Sequence, residues 1–189
     1  YVKGLLAQVN SANGLNLDFR SWVNVRNTLS AKNGQLDQLI TQNYKGVYSL
    51  LALPTDITKF NNLVDDPFNP AVDGQVDYTM IYRGQNITSR PVPIKRYALL
   101  PPKVSPLHLH ECEKALDSSS FPPRNLRQIR HRFFVGRAFA KRPAVADLSD
   151  GDLRMKVFYQ GATTQKQWDC FLCINSRLNV RGESVRVDR

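Results

Sequence analysis

Apolar and polar residues alternate most cleanly at 153–159, where Leu153, Met155, Val157 and Tyr159 interleave with Arg154 and Lys156. A two-residue period is that of a strand with one face in a core and one in water. The turn-forming Ser149-Asp150-Gly151 before this run and Gly161 after it predict a reversal at each end. Further strand-like runs stand at 133–139, 170–174 and 185–187, so the closing third of the chain, 124–189, reads as sheet.

Earlier in the chain, 1–9 reads as a first strand, closed by the turn-rich segment 10–14. At 17–29, Leu17, Phe19, Val23 and Val25 share one face and Asp18, Arg20, Asn24 and Arg26 the other, with Trp22 interrupting the polar side. The period then changes. Ser30 suits an N-cap, and Leu36, Leu39 and Ile40 fall at helical spacing, which predicts a short helix over 30–41. The segment 47–53 is too apolar for a one-sided strand and reads as a buried one, stopped by Pro54. Asp, Asn and Pro dominate 54–74, a long loop. Another alternating strand covers 76–82 and ends at Gly84, after which Pro91, Pro93, Pro101, Pro102 and Pro106 make 90–106 an extended crossing segment. A second helix is predicted at 107–116, with Pro106 in its first turn and Ser118-Ser119-Ser120 beyond its end.

These elements amount to eight strands and two short helices. A three-layer α/β fold needs a helix after nearly every strand, so the pattern predicts an all-β protein. The expected architecture is an eight-stranded antiparallel jelly-roll β-sandwich with two short helices in the connections, one domain over 1–189.

Composition adds a charge. Lys and Arg number 26 against 16 Asp and Glu, a net charge of +10. That balance favours a polyanionic partner, nucleic acid first and an anionic membrane surface second, although a basic protein can also be merely well solvated. No apolar run is long enough for a membrane-spanning helix. The chain opens on Tyr1 rather than Met, which leads us to expect a piece of a longer or processed polypeptide. Its three cysteines make no disulfide framework and fit a reducing compartment, where the Asn86-Ile87-Thr88 sequon has no role.

Candidate chemistry is sparse. His108, His110 and Cys112 would point one way on a strand and suit zinc, in a pattern that touches the cupin His-x-His pair; on a helix they are partly buried structural residues. Cys170 and Cys173 have redox or zinc spacing, but three residues apart on a strand they face opposite sides and read as packed thiols. Neither a glycine-rich phosphate loop nor a nucleophile elbow is present, and the acidic clusters at 65–66 and 147–152 sit in turns. The pattern therefore predicts no enzyme, no cofactor and no metal. The strongest signal is a basic row: Arg124, Arg127, Arg130, Arg132, Arg137, Lys141 and Arg142. Arginine pairs bidentately with carboxylate or phosphate, so the row can hold an acidic face of a neighbouring subunit, contact nucleic acid, or form a solvated rim.

The order of motifs resembles the second jelly roll of the double jelly-roll, hexon-like major capsid proteins of icosahedral DNA viruses. The resemblance rests on 76–93, a strand with a glycine turn and a proline-bearing exit; on the helix 107–116 in the next connection; and on 133–187, where DLSDGDLRMKVFYQG leads into the last strand pair. It implies a structural virion protein without catalysis, made in the host cell interior and built into homotrimeric capsomers with other capsid proteins. The Pro-rich and Arg-rich connections would be its contact surfaces, with only non-specific contact to the genome. A single jelly roll cannot make a double-barrelled subunit, so the resemblance implies either an upstream barrel before Tyr1 or a single jelly-roll shell protein. The rival readings are a basic nucleic-acid-binding β module and a cupin-like metal enzyme.

Overall fold

The strand Val47–Asp56, β3, organises the architecture because it is buried on both faces: Val47, Leu50 and Ala52 enter one cluster and Leu51 another. In the computed structural model the described residues are 2–11, 13–29, 34–40, 44–57, 75–88, 90–96, 103–120, 134–140, 145–160 and 166–188. They contain α1 (Val2–Val9), β1 (Leu15–Leu29), β2 (Gly34–Leu39), β3, β4 (Gln75–Tyr82), β5 (Gln85–Asn86), β6 (Val92–Pro93), β7 (Lys95–Arg96) and β8 (Lys103–Val104). There follow α2 (Pro106–Ser118), β9 (Val135–Ala138), β10 (Leu153–Gln160), β11 (Lys166–Arg181) and β12 (Ser184–Asp188).

Two five-stranded antiparallel sheets face each other. The first runs β1-β11-β3-β9 with β12 also on β11; the second runs β2-β10-β4-β5 with β6 also on β4; β7 and β8 form a separate two-stranded ribbon. From β1 to β4 each successive strand joins the opposite sheet, and the chain alternates again from β9 to β11. The core between the sheets follows from the period-two pattern. Met80 on β4, Met155 and Val157 on β10, and Trp168, Leu172 and Ile174 on β11 are all sealed from solvent.

Helix α2 covers the other side of the first sheet. Pro106 supplies its first turn, where the missing N–H costs nothing. Leu109, Cys112, Ala115 and Leu116 then pack on Leu51, Leu53 and Phe171. The helix and β9 meet closely at Gly136, where a Cβ would come within 2.9 Å of Ala115 Cβ and of Cys112 Cα.

Four expectations are corrected. Residues 2–9 form a helix rather than a strand, because Val2, Leu5, Leu6 and Val9 fall at spacings of three and four. The predicted helix over 30–41 is instead the strand Gly34–Leu39, where Leu36, Gln38 and, just beyond its end, Ile40 alternate inward. Pro54 does not end β3: it pairs with Trp168 on β11, while β9 bonds β3 only from Ser49 to Ala52, so the proline sits where its other edge is open among the described residues. The strands number ten in the two sheets rather than eight, in part because the proline-rich segment, expected to cross without pairing, lays Val92 and Pro93 against Tyr78 and Asp77. The rest of the predicted loop, 58–74, lies outside the described residues.

Candidate functional site

Of the basic row, Arg137 alone lies among the described residues; Arg124, Arg127, Arg130, Arg132, Lys141 and Arg142 lie outside them. Arg137 stands on β9 and turns onto α2, donating from Nη1 to Glu111 Oε2 at 2.6 Å. The arginine side chain is 21% exposed and the glutamate 9%, so the pair is shielded rather than solvated. Its Nε finds no hydrogen-bond partner among the described residues. The pair lines a cleft of about 460 Å³ with Lys114, Asp117, Ser118 and Phe139, a surface of mixed charge.

The end of α2 is fastened to the sheet by hydroxyls. Ser118 Oγ lies 3.0 Å from the Tyr48 carbonyl and 3.2 Å from that of Ala140, and its one proton serves either. Ser119 Oγ lies 2.7 Å from the Ala115 carbonyl and also bonds the Ser49 hydroxyl. The cleft is thus lined by α2 on one side and by the end of β9 with the residues just beyond it, Phe139 and Ala140, on the other.

The histidines and Cys112 fall on this helix, not on a strand. His108 and Cys112 are one turn apart and buried, with Sγ 3.6 Å from Nε2, while His110 points to solvent. Cys112 Sγ donates to the Phe134 carbonyl at 3.3 Å, and the His108 ring meets Tyr78 edge-on at 6.0 Å between centroids. Burial pushes the Cys112 thiol and the Tyr78 hydroxyl upward and holds His108 down to about 4, so the neutral forms are favoured throughout. A nucleophilic Cys–His pair needs the opposite, a thiolate beside an imidazolium open to substrate. Among the described residues no group of three His, Cys, Asp or Glu can hold a metal ion. Cys170 joins the core between the sheets, whereas Cys173 lies on the opposite face of β11, near Ser119.

One surface went unread in the sequence. Beyond the sandwich, β1, β11 and β12 run on as a three-stranded ribbon, with Leu17 opposite Leu178 and Leu178 opposite Val187, Leu15 opposite Val180 and Val180 opposite Val185. Alternation puts these residues and Phe19 on one face. Asp18, Arg20, Arg177, Arg181, Arg186 and Asp188 take the reverse, where Arg177 Nε donates to Asp18 Oδ1 at 2.8 Å. The signal was available in the strict alternation of 177–181 and 184–188, but a period-two pattern does not say whether a sheet covers its apolar side.

No family model and no curated protein matches the chain. Among solved structures, a chain of the PBCV-1 virus capsid, described as a quasi-atomic model, superposes with a TM-score of 0.52 over 93% of this chain. In fold, the chain is similar to a viral capsid protein. The two sequences are 8% identical, so the likeness is one of architecture and carries no residue roles across. The chain spans about half the length of the capsid chain it matches, 52% of it. No helix among the described residues is long and apolar enough to cross a membrane.

Proposed function

We propose that the chain is a structural virion protein, one jelly-roll barrel of a major capsid subunit that assembles into trimeric capsomers of an icosahedral DNA virus shell. The observation that carries this reading is the strand order. Counting β1, β2, β3, β4, β6, β9, β10 and β11 as the main strands, the two sheets run first-eighth-third-sixth and second-seventh-fourth-fifth, the double Greek-key winding of a jelly roll. The likeness to a capsid chain and its coverage of half that chain support a subunit built from two such barrels; we propose that this one is the C-terminal barrel. The virion is then its location and its own copies and other capsid proteins its partners. The residues of the basic row, Arg137 among them, would serve contacts between subunits.

The net charge of +10 supports non-specific contact with a packaged genome within the same role. Such contact comes from counterion release and falls steeply with salt. The test is light scattering and electron microscopy of the full-length protein across a salt series, with DNA binding measured alongside. Discrete trimers that persist at moderate salt, with DNA binding lost there, are expected. Tight, sequence-selective DNA binding without self-assembly would refute the capsid reading.

A further inference from the structure

We propose that the apolar face of the β1–β11–β12 ribbon seats a second copy of this chain, packed face to face across a two-fold axis. Four side chains on it remain widely open: Val185 is 65% exposed, Val187 48%, Leu17 47% and Phe19 40%. Apolar surface gathered this densely on one flat face marks an interaction site rather than the scattered exposure of ordinary surfaces.

Charge selects the occupant. The described basic residues of the ribbon stand on its reverse face, together with Asp18 and Asp188, and among the described residues none interrupts the apolar side. A nucleic acid or an anionic membrane would need them on the contacting face or its rim. The chain as a whole carries +10, so copies repel through most of their surface and meet at least electrostatic cost where no charge lies. A face whose described exposed side chains are all apolar, Ser176 opposite Phe19 being buried, is also its own complement, which an isologous contact requires. Its size sets the strength of the contact. β12 has five residues; at about 3.4 Å per residue and about 4.8 Å between strands the face measures roughly 17 by 14 Å. Two such faces cover about 480 Å² in outline, the footprint of a weak contact that forms as concentration rises. Two twisted sheets stack in this way at about 10 Å, as the halves of a sandwich do.

This contact does not depend on the capsid reading, and its test separates the two. Sedimentation velocity on the full chain over a hundredfold concentration range is compared with the Val185→Lys/Val187→Lys double variant and with Arg186→Gln on the reverse face. The wild type and Arg186→Gln should pair alike across this face, as two single chains or as two trimers, and in the double-lysine variant this pairing step should be at least about tenfold weaker with unchanged circular dichroism. Hydrogen exchange on the wild type needs no variant: protection of the 184–188 amides should rise with concentration. A wild type that shows no concentration-dependent pairing, or a pairing step that survives the double substitution in a folded variant, overturns the proposal. So does a monomer whose ribbon is instead protected by neutral lipid vesicles. Should the double variant misfold, concentration-independent exchange at 184–188 overturns it equally. Absence of capsomers, by contrast, would sink only the capsid reading.

Discussion

Replacing Gly136 by alanine sets two effects of opposite sign against each other at the closest approach of β9 to α2. Gly136 does not have a positive φ, so alanine fits its backbone conformation and reduces the entropy of the unfolded chain, a gain of about 0.4–1 kcal/mol. The new methyl, however, meets Ala115 Cβ at 2.9 Å, Cys112 Cα at 2.9 Å and a Phe134 ring carbon at 3.3 Å. Two of these are a helix backbone atom and a β-carbon fixed to one, which cannot swing aside as a long side chain can. Overpacking of this kind costs roughly 1–3 kcal/mol. The clash should win, giving a net destabilisation of about 1–2 kcal/mol and a fall in Tm of roughly 4 °C for a chain of this size. Urea unfolding followed by circular dichroism reads the first quantity and calorimetry the second. Adding Ala115→Gly removes one contact but leaves Cys112 Cα in place, so the double variant should show a coupling of about 0.5 kcal/mol or more. A Gly136→Ala protein more stable than wild type, or strict additivity with Ala115→Gly, would refute the tight packing assigned to this corner.

Two further outcomes follow from the same corner. His108 is held neutral by burial, with its folded pKa near 4 against 6.5 unfolded, so between those values only the unfolded chain takes up the proton. The stability it withholds from the unfolded state is present above pH 6.5, is lost as pH falls to about 4, and amounts to about 3 kcal/mol; subtracting urea midpoints of His108→Gln from wild type across this range should show that slope, and a pH-independent difference would count against it. Arg137→Ala leaves Glu111 shielded without its cation and should cost about 2–3 kcal/mol, whereas Arg137→Met with Glu111→Leu should recover most of that in urea melts. Equal losses in the single and double variants would mean that the packing of the arginine stem matters more than the pair.

Period-two reading located β1, β4 and β10, each with one apolar face, and the unbroken apolar run of 47–53 located β3, which is buried on both faces between two clusters. The two misread elements fail for definite reasons. In β2 the inward positions are Leu36, Gln38 and Ile40, and the polar middle one hides the alternation. Gln38 tolerates burial by donating Nε2 to the Val25 carbonyl at 3.3 Å, a partner no local pattern could announce. In α1 the helical spacing of Val2, Leu5, Leu6 and Val9 was overlooked because a run this apolar also suits a strand. The candidate site was less readable. The arginines could be counted, but that Arg137 turns inward to Glu111 depends on α2 crossing β9, a tertiary event. His108 and Cys112 drew notice as possible ligands because on a strand they share a face; on the helix they share one too, but it is a sealed one.

The pairing of β1 with β11 also governs when the sandwich can form. Asn179 Nδ2 donates to Asn16 Oδ1 across a separation of 163 residues, and β11 bridges β1 and β3 in the middle of the first sheet. Non-local pairing of this kind slows folding, since the loop must close before its contacts reward it. On the ribosome the early strands must wait for the keystone of their sheet until β11 has been synthesised and released from the exit tunnel. Until then the early strands keep unpaired edges, and neighbouring nascent chains on a polysome can associate through them.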